Sequence, residues 1–202
     1  MHRSHTGYAL DYDLGSAIAD YVRSGMDTSA TPNLFLALLT AAADVYGRDP
    51  AAGHFTGSAF VVSADGARTL LTHHRKLDRW LQPGGHADGD RDLRRVALRE
   101  AQEETGVAGL TVDADIFDLD RHWIPARGDE PGHWHHDVRF IVRAGADETF
   151  AVSAESRALA WWPIADVADG LEFDPSLRRM ARRWLTAPAV RRQPDGDVSS
   201  SG

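Results

Sequence analysis

Between Gly84 and Val107 the chain reads as a glycine pair, a polar loop, an amphipathic helix and a glycine stop, and this helix constrains the fold more than any other stretch. The pattern predicts a helix from about Asp92 to Thr105, ended by Gly106, which can adopt the left-handed conformation that closes a helix. At about 100° per residue, Leu93, Val96, Ala97, Glu100, Glu103 and Glu104 fall within one arc of roughly 120°. The stripe starts apolar, so it must pack on a hydrophobic layer. It ends in three carboxylates at i, i+3 and i+4, which repel one another and resist desolvation. Either water solvates that acidic end, or a divalent cation gathers the carboxylates. Mg2+ suits the second case, because it prefers carboxylate, carbonyl, water and phosphate oxygens.

Around this helix the chain alternates between helical and extended patterns. Helices are expected at Tyr12 to Ser24 and Asn33 to Tyr46, and short strands at Ser58 to Val62 and Arg68 to Thr72, joined through Asp65-Gly66. Further strands are expected at Thr111 to Leu119, His135 to Val142 and Leu159 to Trp162. A long Pro- and Gly-containing loop, Arg121 to Trp134, is expected between the first two of these. Helical patterning returns around Asp166 and from Pro175 to Leu185, and the tail from Thr186 to Gly202 has the composition of a disordered segment.

At 202 residues the chain is sized for one domain with an appended element, and 43% hydrophobic residues are enough for one core. A net charge of -8 disfavours general nucleic-acid binding, since it repels phosphate backbones. The absence of cysteine excludes disulfides, thiolate zinc sites and cysteine nucleophiles. No apolar run approaches the ~20 residues of a membrane span. Met1 to Asp13 lacks the basic and then apolar order of a secretory signal, so a cytoplasmic protein is expected.

Gly85, five residues, Arg91, seven residues and then Arg99-Glu100-Ala101-Gln102-Glu103-Glu104-Thr105-Gly106-Val107 together resemble the Nudix box, G-x5-E-x7-R-E-U-x-E-E-x-G-U with U aliphatic. Arg91 and Ala101 depart from it; Asp90 and Asp92 flank the first departure. The resemblance extends to Trp80-Leu81-Gln82-Pro83-Gly84-Gly85 before the box, and to Glu155-Ser156 with Trp161-Trp162-Pro163-Ile164 after it. It covers Gly57 to Leu177 and leaves the first fifty residues unexplained.

The resemblance implies an α/β fold, an α/β/α sandwich around a mixed β-sheet, here with a helical N-terminal extension. Residues 1–50 would form the extension, 51–185 the Nudix domain and 186–202 the tail. It further implies Mg2+, with Mn2+ as a substitute, held by the Gly84 carbonyl, Glu100, Glu103 and Glu104. The implied catalytic set is Glu100, Arg99 and Glu103. Glu100 takes the proton of the attacking water, with Glu148 and Glu155 as alternatives, and Arg99 orients a carboxylate. The implied reaction is hydrolysis of a nucleoside diphosphate linked to another group X. Nucleoside triphosphate housecleaning and non-catalytic nucleotide sensing are the other readings. An isopentenyl-diphosphate isomerase would need a cysteine that this chain lacks.

His133-Trp134-His135-His136-Asp137 admits three readings: substrate contact, structural packing or a metal site. In a strand, His133, His135 and Asp137 project from one face. His135, Asp137 and Arg139 are the expected substrate-binding residues. The basic stretch His73, His74, Arg75, Lys76 and Arg79 meets phosphate or is a solvated hairpin end. Trp161-Trp162 reads as packing in preference to a base-stacking platform. The expected partner is a small nucleotide diphosphate, with no membrane, and the two N-terminal helices suggest a homodimer.

Overall fold

The computed structural model describes residues 12–41, 44–48, 53–153 and 156–188. Its elements are α1 (Leu14–Arg23), α2 (Thr31–Ala41), β1 (His54–Val62), β2 (Arg68–His74), β3 (Arg79–Leu81), β4 (Gly84–His86), α3 (Leu93–Thr105), β5 (Thr111–Ile124), β6 (His133–Arg143), β7 (Ser156–Pro163), α4 (Ile164–Asp169) and α5 (Pro175–Thr186). The strands form one mixed sheet in the order β3-β2-β1-β6-β5, with β4 paired to β1 and β7 to β2. Among the described residues only β1 and β6 run parallel.

Every residue of β1 is buried, and its two faces feed two cores. Phe55, Ala59 and Val61 join α1, α2 and α3, whereas Phe60 and Val62 join α4 and α5. The protein is therefore an α/β/α sandwich. The N-terminal helices belong to the first core through Leu14, Ile18, Tyr21, Phe35 and Leu38. Phe35 is fully buried, which contributes roughly 1.5–3 kcal/mol. The segment 189–202, most of the expected tail, lies outside the described residues, as do residues 42–43 of the expected second helix.

The expected long loop from Arg121 to Trp134 is the main correction. β5 continues to Ile124 and β6 starts at His133, so Arg121, His122, Trp123 and Ile124 pair with His136, His135, Trp134 and His133. Only residues 125–132 connect them. Cross-strand packing favours the longer ladder: the Trp123 and Trp134 rings lie 5.3 Å apart, and the Arg121 guanidinium sits 3.6 Å over Trp134. The two prolines, Pro125 and Pro131, fall outside the ladder, where their missing N–H is harmless. β1 likewise starts at His54, ahead of the expected Ser58, because β6 pairs with it from His54 onward.

Candidate active site

Helix α3 is bounded as its sequence signals direct. The Asp92 side chain caps its N-terminus, accepting from the Arg94 N–H, and Gly106 closes it at φ 66°. The helix lies on the face of β1 that carries Gly57. A Cβ there would stand 2.9 Å from the Leu93 carbonyl oxygen and 3.0 Å from the Val96 side chain, so only glycine admits this approach. Ala101, small where the box usually has a bulky aliphatic residue, is fully buried in the same layer.

Strand β4 pairs antiparallel with β1, Gly85 opposite Gly57 and Gly84 opposite Ser58. It brings the glycine pair against the acidic end of α3. The Gly84 N–H donates to Glu104 Oε1 over 2.8 Å, and a Cβ on Gly85 would meet the Glu100 carboxylate at 2.5 Å. Arg99 Nη2 donates to Glu100 Oε1 (2.9 Å) and to the His86 carbonyl oxygen (3.1 Å). One nitrogen thus spans two acceptors. Glu100 and Glu104 are half-buried and Glu103 is exposed. Glu104 is thus held to Gly84 and Glu100 lies against Gly85, bonded by Arg99, while Glu103 stands exposed on the same end of α3.

The acids that flank the missing first glutamate are engaged elsewhere. Asp90 pairs with Arg95 (2.6 Å) and Asp92 with Arg94 (2.8 Å), while Arg91 turns toward the Tyr46 ring. Glu148 accepts from the Ala64 N–H and from Arg68 at the β1–β2 hairpin, at the opposite end of β1 from the glycine pair. Glu155 lies outside the described residues. Of the three carboxylates considered as proton acceptor, Glu100 is the one held beside Gly85.

The opposite sheet face carries a polar field that only cross-strand register assembles. His54, Thr56 and Ser58 of β1 adjoin His135, Asp137 and Arg139 of β6, which adjoin His122, Asp120 and Asp118 of β5, with His86 of β4 opposite Thr56. Asp137 and Arg139 are buried within it. Asp137 accepts from Thr56 Oγ1 (2.9 Å), Ser58 Oγ (2.7 Å) and Arg139 Nε (2.7 Å). Arg139 also pairs with Asp118 (3.4 Å) and Asp120 (3.2 Å), which take Arg179 and, for Asp118, Arg183 from α5. Burial alone would raise the Asp120 pKa, but His122, Arg139 and Arg179 together hold it below the ordinary carboxylate range.

Five histidine rings cluster at the open end of this field. His54 stands 5.0, 4.8 and 4.8 Å from His86, His133 and His135, and His122 stands 5.4 Å from His135, measured between centroids. Burial, followed by the neighbouring rings, lowers the His135 pKa to about 2; burial, with Arg48 and His54, lowers that of His86 to about 4. Both rings are neutral at pH 7. His54, His86 and His122 were missed in the sequence because they lie far from the His133–His136 run. The alternation Asp118, Asp120, His122 in β5 was the available signal.

The basic stretch occupies the β2–β3 hairpin and bonds within its own surroundings: the Lys76 and Leu77 N–H groups donate to His74 Nδ1, and Arg75 donates to the Ser156 carbonyl oxygen. Trp162 packs edge-on to Trp80 and Phe173, and Trp161 Nε1 donates to the Glu148 carbonyl oxygen. Trp162 is thus engaged in packing and Trp161 in a hydrogen bond within the fold.

A helix carrying three glutamates against a glycine pair, beneath a mixed sheet, matches a known class. The chain belongs to the NUDIX family, whose domain its sequence matches over residues 54–184. It is similar to the "Putative 8-oxo-dGTP diphosphatase 3" of Mycobacterium tuberculosis, 29% identical over 133 residues, which are 62% of this chain and 58% of the relative. The chain thus spans 58% of the length of that curated relative. Similar folds occur in the dihydroneopterin triphosphate pyrophosphohydrolase of E. coli, with a TM-score of 0.54, 18% identity, and coverage of 64% of this chain and 92% of that one. A C. elegans Ap4A hydrolase matches with a TM-score of 0.52, 18% identity, and 65% and 94% coverage. A NUDIX-family hydrolase from Clostridium perfringens matches with a TM-score of 0.52, 20% identity, and 65% and 96% coverage. At these identities the likeness is one of fold. Among the described residues no helix is long and apolar enough to cross a membrane.

Proposed function

We propose that this protein is a Mg2+-dependent pyrophosphohydrolase that cleaves the diphosphate of a nucleoside diphosphate linked to another group X. The observation that carries this reading is the approach of Glu100 to Gly85 and of Glu104 to Gly84, with Glu103 on the same end of α3. The donor set is all oxygen, and the missing side chain at Gly85 lets the Glu100 carboxylate lie against β4, so the residues fit a hard divalent cation. Glu100, Glu104 and the Gly84 carbonyl would hold one ion, and exposed Glu103 a second; Mn2+ is an acceptable substitute.

When bound, Mg2+ neutralises diphosphate oxygens and lowers the pKa of a coordinated water. The protein supplies the remaining parts. Glu100 accepts the proton of the attacking water, and Arg99 fixes the carboxylate for that task by bonding both Glu100 and the His86 carbonyl. Glu104 keeps its rotamer through the Gly84 N–H. His135 faces the substrate beyond its diphosphate, while Asp137 and Arg139 act on the substrate surface by holding its floor in register. This reading carries with it the cytoplasmic setting and small nucleotide partner expected from the sequence. A homodimer through α1 and α2 is the accompanying expectation, and light scattering on the full chain measures it.

The M. tuberculosis relative's name favours a second reading, hydrolysis of an oxidised nucleoside triphosphate. The test is a substrate panel of nucleotide sugars, ADP-ribose, dinucleoside polyphosphates, dGTP and 8-oxo-dGTP with Mg2+ or Mn2+, with products resolved by chromatography. Preference for X-linked diphosphates supports the first reading and preference for triphosphates the second. Binding of nucleotide with no turnover of any would overturn both in favour of a sensing module.

A further inference from the structure

We propose that His54, His133 and His135 form a second metal site, for a divalent transition ion of the zinc class, on the sheet face opposite the glutamates of α3. One candidate donor nitrogen from each ring lies within 4.8 Å of the others. His133 Nε2 and His135 Nε2 stand 3.2 Å apart. Two Zn–N bonds of about 2.0–2.1 Å at a tetrahedral angle separate their nitrogens by roughly 3.3 Å. The pair is therefore already spaced for one shared ion.

Protonation points the same way. His133 Nδ1 lies 2.9 Å from the Pro131 carbonyl oxygen, which can only accept, so Nδ1 carries the proton. In the neutral ring Nε2 then presents its lone pair toward His135. A backbone carbonyl that fixes the tautomer of an imidazole is the usual outer partner of a metal-binding histidine. His122 repeats the arrangement at the rim, its Nδ1 lying 3.2 Å from Asp120 Oδ2. All three proposed ligands sit on strands, His54 directly opposite His135 in the β1–β6 register, so little order has to be created on binding.

Donor chemistry separates this site from the first. Three imidazole nitrogens are a poor match for Mg2+, which demands oxygen, and a good one for zinc, copper or nickel. Three protein ligands leave a fourth position for water or an oxygen of a bound anion. Strand β4 links the two sites: Arg99 on the carboxylate side bonds the His86 carbonyl, and the His86 ring stands 5.0 Å from that of His54.

The test uses the full chain, stripped with EDTA and transferred to metal-free buffer containing excess Mg2+ to fill the carboxylate site. Zn2+ is titrated by calorimetry, and Co2+ serves as a visible-absorption probe of coordination. One equivalent of Zn2+ is expected to bind, with Co2+ giving the intense bands of four-coordinate nitrogen-rich sites. The His133→Ala and His135→Ala proteins are expected to lose more than the roughly 10–100-fold in affinity that removing an outer partner costs. Glu104→Gln is expected to bind Zn2+ as the parent does, so failure of this site is distinguishable from failure of the Mg2+ reading. If either alanine variant fails to fold by circular dichroism, His133→Asn and His135→Gln replace them. Absence of saturable Zn2+ binding, or binding unchanged by the histidine variants, or binding abolished by Glu104→Gln, would overturn the proposal.

Discussion

The backbone N–H of Gly84 donates to the carboxylate of Glu104 over 2.8 Å, tying β4 to a helix residue twenty positions later. The bond positions the carboxylate without neutralising it. Glu104→Gln can keep the bond through its amide oxygen while losing the charge that attracts the cation. The variant is expected to retain its melting temperature in EDTA, or exceed it through relief of carboxylate repulsion, and to lose at least ~100-fold in Mg2+-dependent kcat/KM. Steady-state kinetics at saturating Mg2+ checks this, and activity within about threefold of the parent contradicts it.

Two glycines of the site should respond differently to the same substitution. At Gly57 an added methyl meets the backbone carbonyl of Leu93, which cannot yield without moving α3, so Gly57→Ala is expected to cost about 1–3 kcal/mol. At Gly85 the methyl meets the Glu100 carboxylate, the movable end of a side chain. Gly85→Ala should therefore stay near parental stability while losing most of its kcat. Urea unfolding alongside kinetics separates the two, and equal stability losses would contradict the distinction.

Asp92 joins helix capping to pH. Burial raises its pKa, but the hydrogen bonds and charge of Arg94 prevail and hold it below the ordinary 3.8. Removing the cap in Asp92→Ala is expected to cost about 1 kcal/mol, or roughly 2–4 °C in a domain of this size. Asp92→Asn keeps a capping oxygen but loses the ion pair. Because the folded pKa lies below the unfolded one, the carboxylate's contribution is complete above the ordinary value and disappears as pH falls through the folded one. The stability gap between parent and Asp92→Asn should thus be full at neutral pH and close as pH falls below the ordinary carboxylate value through the lowered folded one. Urea midpoints across that range measure it, and a gap constant with pH would refute the ion-pair assignment.

Asp118 carries the network that joins the sheet to α5. Its side chain is 1% exposed and accepts from Arg139, Arg179 and Arg183; Arg183 also donates to the Tyr21 hydroxyl of α1. Asp118→Ala leaves these guanidinium groups without their shared acceptor, and a loss of about 3–5 kcal/mol is expected. Arg23→Ala removes a pair with Asp20 in which both side chains are about two-thirds exposed, and little change is expected. Thermal unfolding of both variants decides the matter, and similar shifts would show that the buried network contributes no more than a surface contact.

What the sequence by itself determined is what neighbours a few residues apart can specify. Asp92 and Gly106 bound α3 from within one helical turn of its ends, Asp65-Gly66 turns the β1–β2 hairpin, and Glu100, Glu103 and Glu104 share a face because 3.6 residues make a turn. Their meeting with Gly84 and Gly85 was legible through the box spacing. The extra length of β5 and β6 was not, because Pro125 and Pro131 read locally as loop, while the pairing of Trp123 with Trp134 and the placing of Arg121 over Trp134 act across the ladder.

Tertiary structure alone decided that Asp137 would be buried beneath Thr56 and Ser58, some eighty residues earlier, and that His54 would stand beside His133 and His135. A strand's own residues state which faces alternate, but the partner and register are settled by burying both faces of β1 at once. A one-residue slip would carry every one of these polar groups to the α3 side of the sheet.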